Sequence, residues 1–205
     1  MSSLLQEFMN QLVPVYPEFV LIIFALAILV LDFLVDKKHK SALGWFALTG
    51  VVVASIMTVQ LNGVQEAFFA GTVLIDSFAL FFKQVFYVSC GLGILVSMKY
   101  LDIEDLQRGE YYSLMLFATS GMMLMASAGD LITLYLGLEL MAMSVYILAG
   151  FMRKDGRSNE AGIKYLLLGA FSSGIMLYGM SLLYGISGMT NLNDILAFLR
   201  TADLS

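Results

Sequence analysis

The chain has 205 residues, of which 60% are hydrophobic and 13% are charged. Soluble domains are roughly 45–50% apolar and about 25% charged, so this composition excludes a water-soluble surface over most of the chain. The mean hydropathy of +0.85 favours an integral membrane protein. The formal net charge is −5, but in such a protein the distribution of charge among the loops matters more than the sum.

Six apolar stretches are long enough to cross the hydrocarbon core, which takes about 20 helical residues. Backbone groups cannot stay unpaired in lipid, so each stretch is expected to be a helix. The sequence therefore predicts an all-α polytopic membrane protein with six transmembrane helices, at 15–35, 42–61, 75–98, 111–128, 131–151 and 161–185.

A seventh segment, 191–200, has apolar residues at helical spacing and predicts a short amphipathic helix. Such a helix either rests on the membrane interface or connects to a further span.

Basic residues concentrate in the loops on one side of the predicted bundle. The loops after the first, third and fifth spans hold eight of the 11 Lys and Arg residues, whereas loops 63–74 and 129–130 hold none. The positive-inside rule places the basic loops in the cytoplasm and the amino terminus outside. No basic residue precedes the first span, so the pattern of a cleaved signal peptide is missing.

The sequence predicts no metal, nucleotide or redox-cofactor site. Cys90 is the single cysteine and lies in an apolar run, which is typical of a plain buried thiol. His39 lies among lysines and is expected in a solvated loop.

Three ionisable residues lie inside predicted spans: Lys83, Glu139 and Lys164. An ionised group at mid-bilayer costs about 2.5–3.5 kcal/mol on insertion scales, so such a group is expected to face protein or a wet cavity. Glu139 lies ~12 Å from the outer end of its span and ~18 Å from the inner end, too deep for its short side chain to reach water. A proton-carrying or ion-coordinating role is the leading interpretation, and a protonated glutamate hydrogen-bonded to another helix is the alternative.

The two lysines lie nearer the ends of their spans. Lys164 lies within ~5–8 Å of the cytoplasmic end, where a lysine either extends to the interface or acts as a proton relay. Lys83 is interpreted as an interfacial lysine with Asp76 nearby, two turns earlier on the same helical face. The depths of Glu139 and Lys164 differ by ~14 Å, so we expect no direct contact between them.

Two segments carry a family resemblance. DLITLYLGLELMAMSVYILAGF at 130–151 resembles the fifth span of the antiporter-like membrane subunits of complex I, the proton-pumping NADH:quinone oxidoreductase. EAGIKYLLLGAFSSG at 160–174 resembles the sixth span of the subunit N family rather than its paralogues L and M. The resemblance is specific over 110–188, whereas the first three spans match in number and topology only.

The resemblance implies that Glu139 and Lys164 are the proton-translocating residues. It further implies that FMN, iron–sulfur clusters and quinone belong to partner subunits, that other membrane-arm subunits are the partners with no role for nucleic acid, and that the chain resides in the bacterial inner membrane. The expected division is 1–109 for the first three helices, 110–188 for the start of the translocating module and 189–205 for a periplasmic-side connector.

Family members have roughly fourteen spans, so six spans correspond to their amino-terminal part. We expect either a truncated subunit or a remainder supplied by a separate polypeptide, and no pumping by this chain alone. Two other functions stay open: a subunit of a multi-subunit cation/proton antiporter or membrane-bound hydrogenase, and a non-catalytic helical scaffold whose charges fix the helix register.

Overall fold

The structure is a computed structural model, which describes residues 12–36, 40–104 and 108–201. This part of the chain contains seven α-helices and one short β-hairpin. A 3-10 turn at Val13–Val15 precedes the first helix. The helices are α1 (Tyr16–Leu34), α2 (Ser41–Gln60), α3 (Ser77–Ile103), α4 (Gly109–Ala126), α5 (Leu131–Ala149), α6 (Gly156–Ser187) and α7 (Leu192–Thr201), and the strands are β1 (Glu66–Phe68) and β2 (Val73–Ile75).

Helices α1 to α6 coincide with the six predicted spans, and α7 coincides with the predicted amphipathic helix. Five of them (α1 with its preceding turn, α2, α3, α5 and α6) are long and apolar enough to cross a membrane. Helix α4 is nearly as long as α5, but it is more polar, because its 18 residues include Glu110, two tyrosines and three serine or threonine residues.

The position of α4 explains its polar residues. It packs against α1, α2, α3 and α5, so its side chains meet protein on most sides. Ser113, Thr119 and Ser120 are buried on it, and each hydroxyl donates a hydrogen bond to a backbone carbonyl. Polar groups satisfied in this way are cheap to bury, so the central helix does not need the apolar surface of its neighbours.

Helices α4 and α5 cross with their backbones in contact. A Cβ atom on Gly121 would lie 2.5 Å from the Met141 nitrogen and 2.6 Å from the Gly137 carbonyl oxygen. A Cβ atom on Gly137 would lie 2.8 Å from the Gly121 oxygen. Small residues permit such close approach of helices in lipid. The crossing fixes the position of α5, which carries Glu139.

Backbone hydrogen bonds join three loops at one end of the bundle, here called the hairpin end. The β1–β2 hairpin is antiparallel, and the Leu74 N–H donates to the Ser127 carbonyl at 2.7 Å. The Leu192 N–H donates to the Gly129 carbonyl at 2.9 Å. The start of α5 and the end of α6 therefore lie at one level. This hairpin falls in a segment for which the sequence predicts only a loop.

The opposite end, here called the basic end, joins α1 to α4. The Asp32 carboxylate accepts hydrogen bonds from Lys40 Nζ at 2.8 Å and from the Gly109 N–H at 2.7 Å. Gly109 begins α4, so a side chain from α1 satisfies one of the free N–H groups of another helix. The contact holds the basic ends of α1 and α4 together.

The Gly121–Gly137 crossing gives a prediction for stability. Gly121→Ala should lower the free energy of unfolding by about 1–3 kcal/mol, because the new methyl group must push α4 and α5 apart. Gly174→Ala on α6 is the matched control, since a Cβ atom there meets nothing within 4 Å. Thermal unfolding of both variants in detergent provides the measurement, and equal midpoints would show that the crossing does not limit stability.

Candidate functional site

Glu139 lies near the middle of α5, as predicted. It is eight residues after Leu131 and ten before Ala149, which places it ~12 Å and ~15 Å from the two helix ends. The side chain is half-buried. Its Oε1 atom is shielded from solvent and has no hydrogen-bond partner among the described residues.

Glu139 lies on the side of α5 that faces α6. Gly137 contacts α4, and a residue two positions later is turned by ~200° around a helix of 3.6 residues per turn. Tyr146, seven residues after Glu139 and therefore on the same side, packs its ring against Tyr165 of α6 with centroids 4.9 Å apart.

Helices α5 and α6 run antiparallel with a register that several contacts define. A Cβ atom on Gly162 would lie 2.9 Å from the Gly150 Cα, and the Tyr146 hydroxyl lies against Gly169. The same register extended along α6 brings Glu139, eleven residues before Gly150, to the level of Ser173, eleven residues after Gly162. Glu139 is therefore level with the middle of α6, away from both ends of the seam.

Lys164 lies elsewhere on α6. It is paired with Glu160 one turn earlier, and 69% of its side chain is exposed. The α5–α6 register puts Lys164, two residues after Gly162, near the level of Leu148, so its depth differs from that of Glu139 by ~14 Å. The expectation that Glu139 and Lys164 do not touch agrees with this geometry, and no ion pair joins them. The proton-translocating roles assigned to both residues stay predictions.

The interfacial interpretation of Lys83 is wrong. Lys83 is fully buried, with 0% of its side chain exposed, and its Nζ atom lies 2.7 Å from Glu18 Oε1, whose side chain is 3% exposed. Asp76 is not its partner, because the Asp76 carboxylate accepts a hydrogen bond from the Ala79 N–H and caps the start of α3. Lys83 is near the start of α3 in sequence, but it is buried and its ammonium group meets a carboxylate from α1.

Sequence analysis also missed Glu18. A signal for it exists, because Glu18 shares one helical stripe with Leu21, Ala25 and Ile28, all of which are fully buried. An acid on the buried stripe of an apolar helix needs a cation on a neighbouring helix. Periodicity shows that need, but it does not show that Lys83 meets it.

A second polar contact lies one turn from the pair. The Tyr87 hydroxyl is 2.8 Å from the Thr58 hydroxyl, and both residues are buried. Tyr87 follows Lys83 by one turn on α3. The first three helices therefore enclose two adjacent polar contacts that link α1 to α3 and α2 to α3.

The described residues contain no group of three or more His, Cys, Asp and Glu side chains arranged to hold a metal ion. Cys90 is a buried free thiol, as predicted. His39, Lys37 and Lys38 lie outside the described residues. The reactive groups at the described buried positions are carboxyl, ammonium and hydroxyl groups and the Cys90 thiol.

Comparison with known proteins connects this arrangement to membrane-bound respiratory complexes. Residues 128–204 match the family model described as NADH:quinone oxidoreductase/Mrp antiporter, transmembrane. The chain is 46% identical over 181 residues to NADH-quinone oxidoreductase subunit N of Trichlorobacter lovleyi. It is 48% identical over 192 residues to subunit N 1 of Koribacter versatilis.

Solved structures give the same connection. A chain of respiratory complex I from Thermus thermophilus matches with a TM-score of 0.70 and 27% identity, over 86% of this chain and 38% of that chain. A chain of the membrane-bound sulfane sulfur reductase, an archaeal respiratory membrane complex, matches with a TM-score of 0.75 and 25% identity, over 91% of this chain and 40% of that chain.

The matches cover most of this chain but a minor part of its relatives. The alignments span 88% and 87% of this chain, and 37% of each of the two curated relatives. The predicted resemblance to the subunit N family is confirmed. The activity of the longer relatives does not follow for this chain from these matches alone.

The Glu18–Lys83 pair gives a prediction for stability. Lys83→Met or Glu18→Met alone should lower the free energy of unfolding by about 3–5 kcal/mol, because each leaves a buried partner without its counterpart. The double variant with Met at both positions should recover most of this loss, since neither charge then remains. Thermal unfolding in detergent measures the effect.

Lys99→Met is the matched control for the pair, because Lys99 is an exposed lysine near the other end of α3. It should change the unfolding midpoint little. If the double variant were as unstable as the sum of the single variants, the pair would not be the cause of their instability.

Proposed function

We propose that this chain, which belongs to the family of antiporter-like membrane subunits of NADH:quinone oxidoreductase, takes part in proton translocation coupled to quinone reduction. In this proposal the chain is a non-redox component of the membrane arm and is not catalytic alone. The two curated relatives named above bear the name of subunit N, and their greater length makes the activity of the whole subunit an inference for this chain.

One observation carries the proposal: Glu139 is a carboxyl in the middle of an apolar helix, with a shielded oxygen that no described residue hydrogen-bonds. A glutamate that served only to hold helices together would have a donor or a cation opposite it, as Glu18 has Lys83 at 2.7 Å. Unpaired buried polar atoms are rare in proteins and, inside a membrane, mark ion and proton paths.

The chemistry follows from the two forms of the carboxyl group. The acid form carries no charge and is tolerated in an apolar region, whereas the carboxylate needs a nearby cation or water. A proton can therefore be taken up when Glu139 loses access to such a partner and released when it gains one. Coupling to quinone reduction elsewhere in a complex would act by changing that access.

Lys164 is assigned the second proton-carrying role, on the resemblance of segment 160–174 to the sixth span. In the described part of the chain it is exposed and paired with Glu160. Its role therefore depends on further protein that covers this side of α6 and replaces or excludes Glu160 as the partner. No residue of α6 itself is buried, which leaves room for such protein.

The remaining parts of the proposal concern placement. We assign all six helices α1 to α6 to membrane spans, with α4 protected by its central position, and divide the chain at 109 and 188.

The amino terminus is assigned to the outside of a bacterial inner membrane, since the basic loops lie at the opposite end. Labelling of a cysteine placed at Asp194, at the hairpin end, in sealed vesicles tests this orientation. The proposed partners are other membrane-arm subunits, and the FMN, iron–sulfur clusters and quinone are assigned to partner subunits of the complex rather than to this chain.

Glu139→Gln in the assembled complex tests the proposal. The amide has the size of the acid but cannot release a proton, so coupled proton pumping should fall to near background. Proton uptake into vesicles, measured together with NADH oxidation, gives the result. Normal pumping in this variant would refute the role of Glu139.

Glu110→Gln is the matched control for this experiment. Glu110 is the same residue type on the neighbouring α4, but it lies at the helix end, where its carboxylate is 3.2 Å from Arg153. It should pump normally. Lys164→Met should reduce pumping as well, and unchanged pumping would remove Lys164 alone from the mechanism.

A second candidate function is a subunit of a cation/proton antiporter or membrane-bound hydrogenase. The description of the matched family includes Mrp antiporters, and a chain of the archaeal sulfur reductase has the same fold. Purification distinguishes the candidates. Co-isolation with flavin and iron–sulfur subunits supports the oxidoreductase, whereas sodium-dependent exchange without them supports the antiporter.

A further inference from the structure

Two grooves approach Glu139 from opposite ends of the seam between α5 and α6. The groove at the hairpin end has a volume of about 370 Å³ and reaches Tyr135. The groove at the basic end has a volume of about 530 Å³ and reaches Met143. Tyr135 precedes Glu139 by one helical turn and Met143 follows it by one turn, so each groove stops ~6 Å along the helix from Glu139.

The two grooves differ in the polar groups that line them. The hairpin-end groove has an almost entirely apolar surface, formed in part by Leu131, Leu177 and Met180. The basic-end groove is more polar, and Tyr146 and Asn159 are among its lining residues. Since protons move along hydrogen-bonding groups and water, the basic-end groove is the better route to Glu139.

Tyr146 lies at the inner part of that groove, between its mouth and Glu139. It is on the same side of α5 as Glu139, ~10.5 Å further along the axis. Side chains on a helix tilt toward its amino terminus, which for α5 is the direction of Glu139. The tilt shortens the distance that any intervening water must bridge.

Contacts with α6 hold the phenol ring of Tyr146. Its ring packs edge-on against Tyr165, with an interplanar angle of 77°. Its hydroxyl lies against Gly169, where any Cβ atom would overlap the phenol. A hydroxyl held at a fixed place in a groove, with no hydrogen-bond partner among the described residues, can bond water on the side that faces away from Gly169.

We propose that Tyr146 is a proton relay that connects Glu139 to the basic end of the bundle. A proton arriving through the basic-end groove binds the phenol oxygen while the phenol proton passes through water to the Glu139 carboxylate. Tyr146 is unchanged after each transfer, and nothing is oxidised or reduced. The inference rests on the proposed role of Glu139 and names the route by which that residue exchanges its proton.

Tyr146→Phe in the assembled complex is the test, because it keeps the ring packing and removes only the hydroxyl. Proton pumping should slow about fivefold, the rate equivalent of one lost hydrogen bond of about 1 kcal/mol. The ratio of pumping rates in H₂O and D₂O should rise, since the proton transfer becomes more rate-limiting. A purely structural role would not change this ratio.

Tyr165→Phe is the matched control. It removes a hydroxyl from the ring partner of Tyr146, which is not among the residues lining the groove, and it should leave both the rate and the isotope ratio unchanged. Gly169→Ala is a second variant, which displaces the phenol without altering any titratable group. It should slow pumping in the same way as Tyr146→Phe.

The outcomes separate this inference from the proposed function. Normal pumping by Tyr146→Phe and Gly169→Ala, with pumping abolished in Glu139→Gln, would overturn the route through Tyr146 and leave the role of Glu139 intact. Normal pumping by Glu139→Gln would overturn both. If Tyr146→Phe fails to assemble, Gly169→Ala decides, with an unchanged isotope ratio counting against the inference.

Discussion

A charge inside the hydrocarbon region must find its counterpart within the protein, and the Glu18–Lys83 contact shows how strongly this constrains the fold. The two residues come from α1 and α3, are almost completely buried, and lie 2.7 Å apart. A shift of either helix by one residue, or a rotation about its axis, would leave both charges without a partner at a cost of several kcal/mol. The pair therefore fixes the relative depth and rotation of α1 and α3, on which the position of α4 depends.

Glu18 and Glu139 have different environments, and the difference is that, of the two, only Glu18 has a cation of the described residues opposite it. Glu18 faces a fixed ammonium group, so a change in its protonation would disturb the packing of three helices. Glu139 has a shielded oxygen with no partner among the described residues and lies at a seam flanked by two grooves. Gain or loss of a proton there breaks no hydrogen bond of the shielded oxygen with a described residue, which suits repeated proton exchange.

Helix positions could be predicted from the sequence because hydropathy acts within each segment, and the six apolar stretches coincide with α1 to α6. The depth of Glu139 follows from the same local information. The partner of Lys83 could not be predicted, because 65 positions separate it from Glu18 and no periodic pattern pairs residues on different helices. The hairpin was missed for a related reason: its strands have three residues each and are held by loops from distant parts of the chain.

Helix α5 has two different contacts, and their difference determines where a change at Glu139 can be transmitted. Toward α4 the backbones touch at Gly121 and Gly137, so this side has no space for a side chain to move. Toward α6 the backbones approach each other only near the end of α5, at Gly150 and Gly162, and around Glu139 the seam is flanked by the two grooves. A carboxyl that changes its charge between these helices can rearrange its surroundings only on the side of α6. Helix α6, whose other sides no described residue buries, is therefore the element through which the protonation state of Glu139 would reach neighbouring protein.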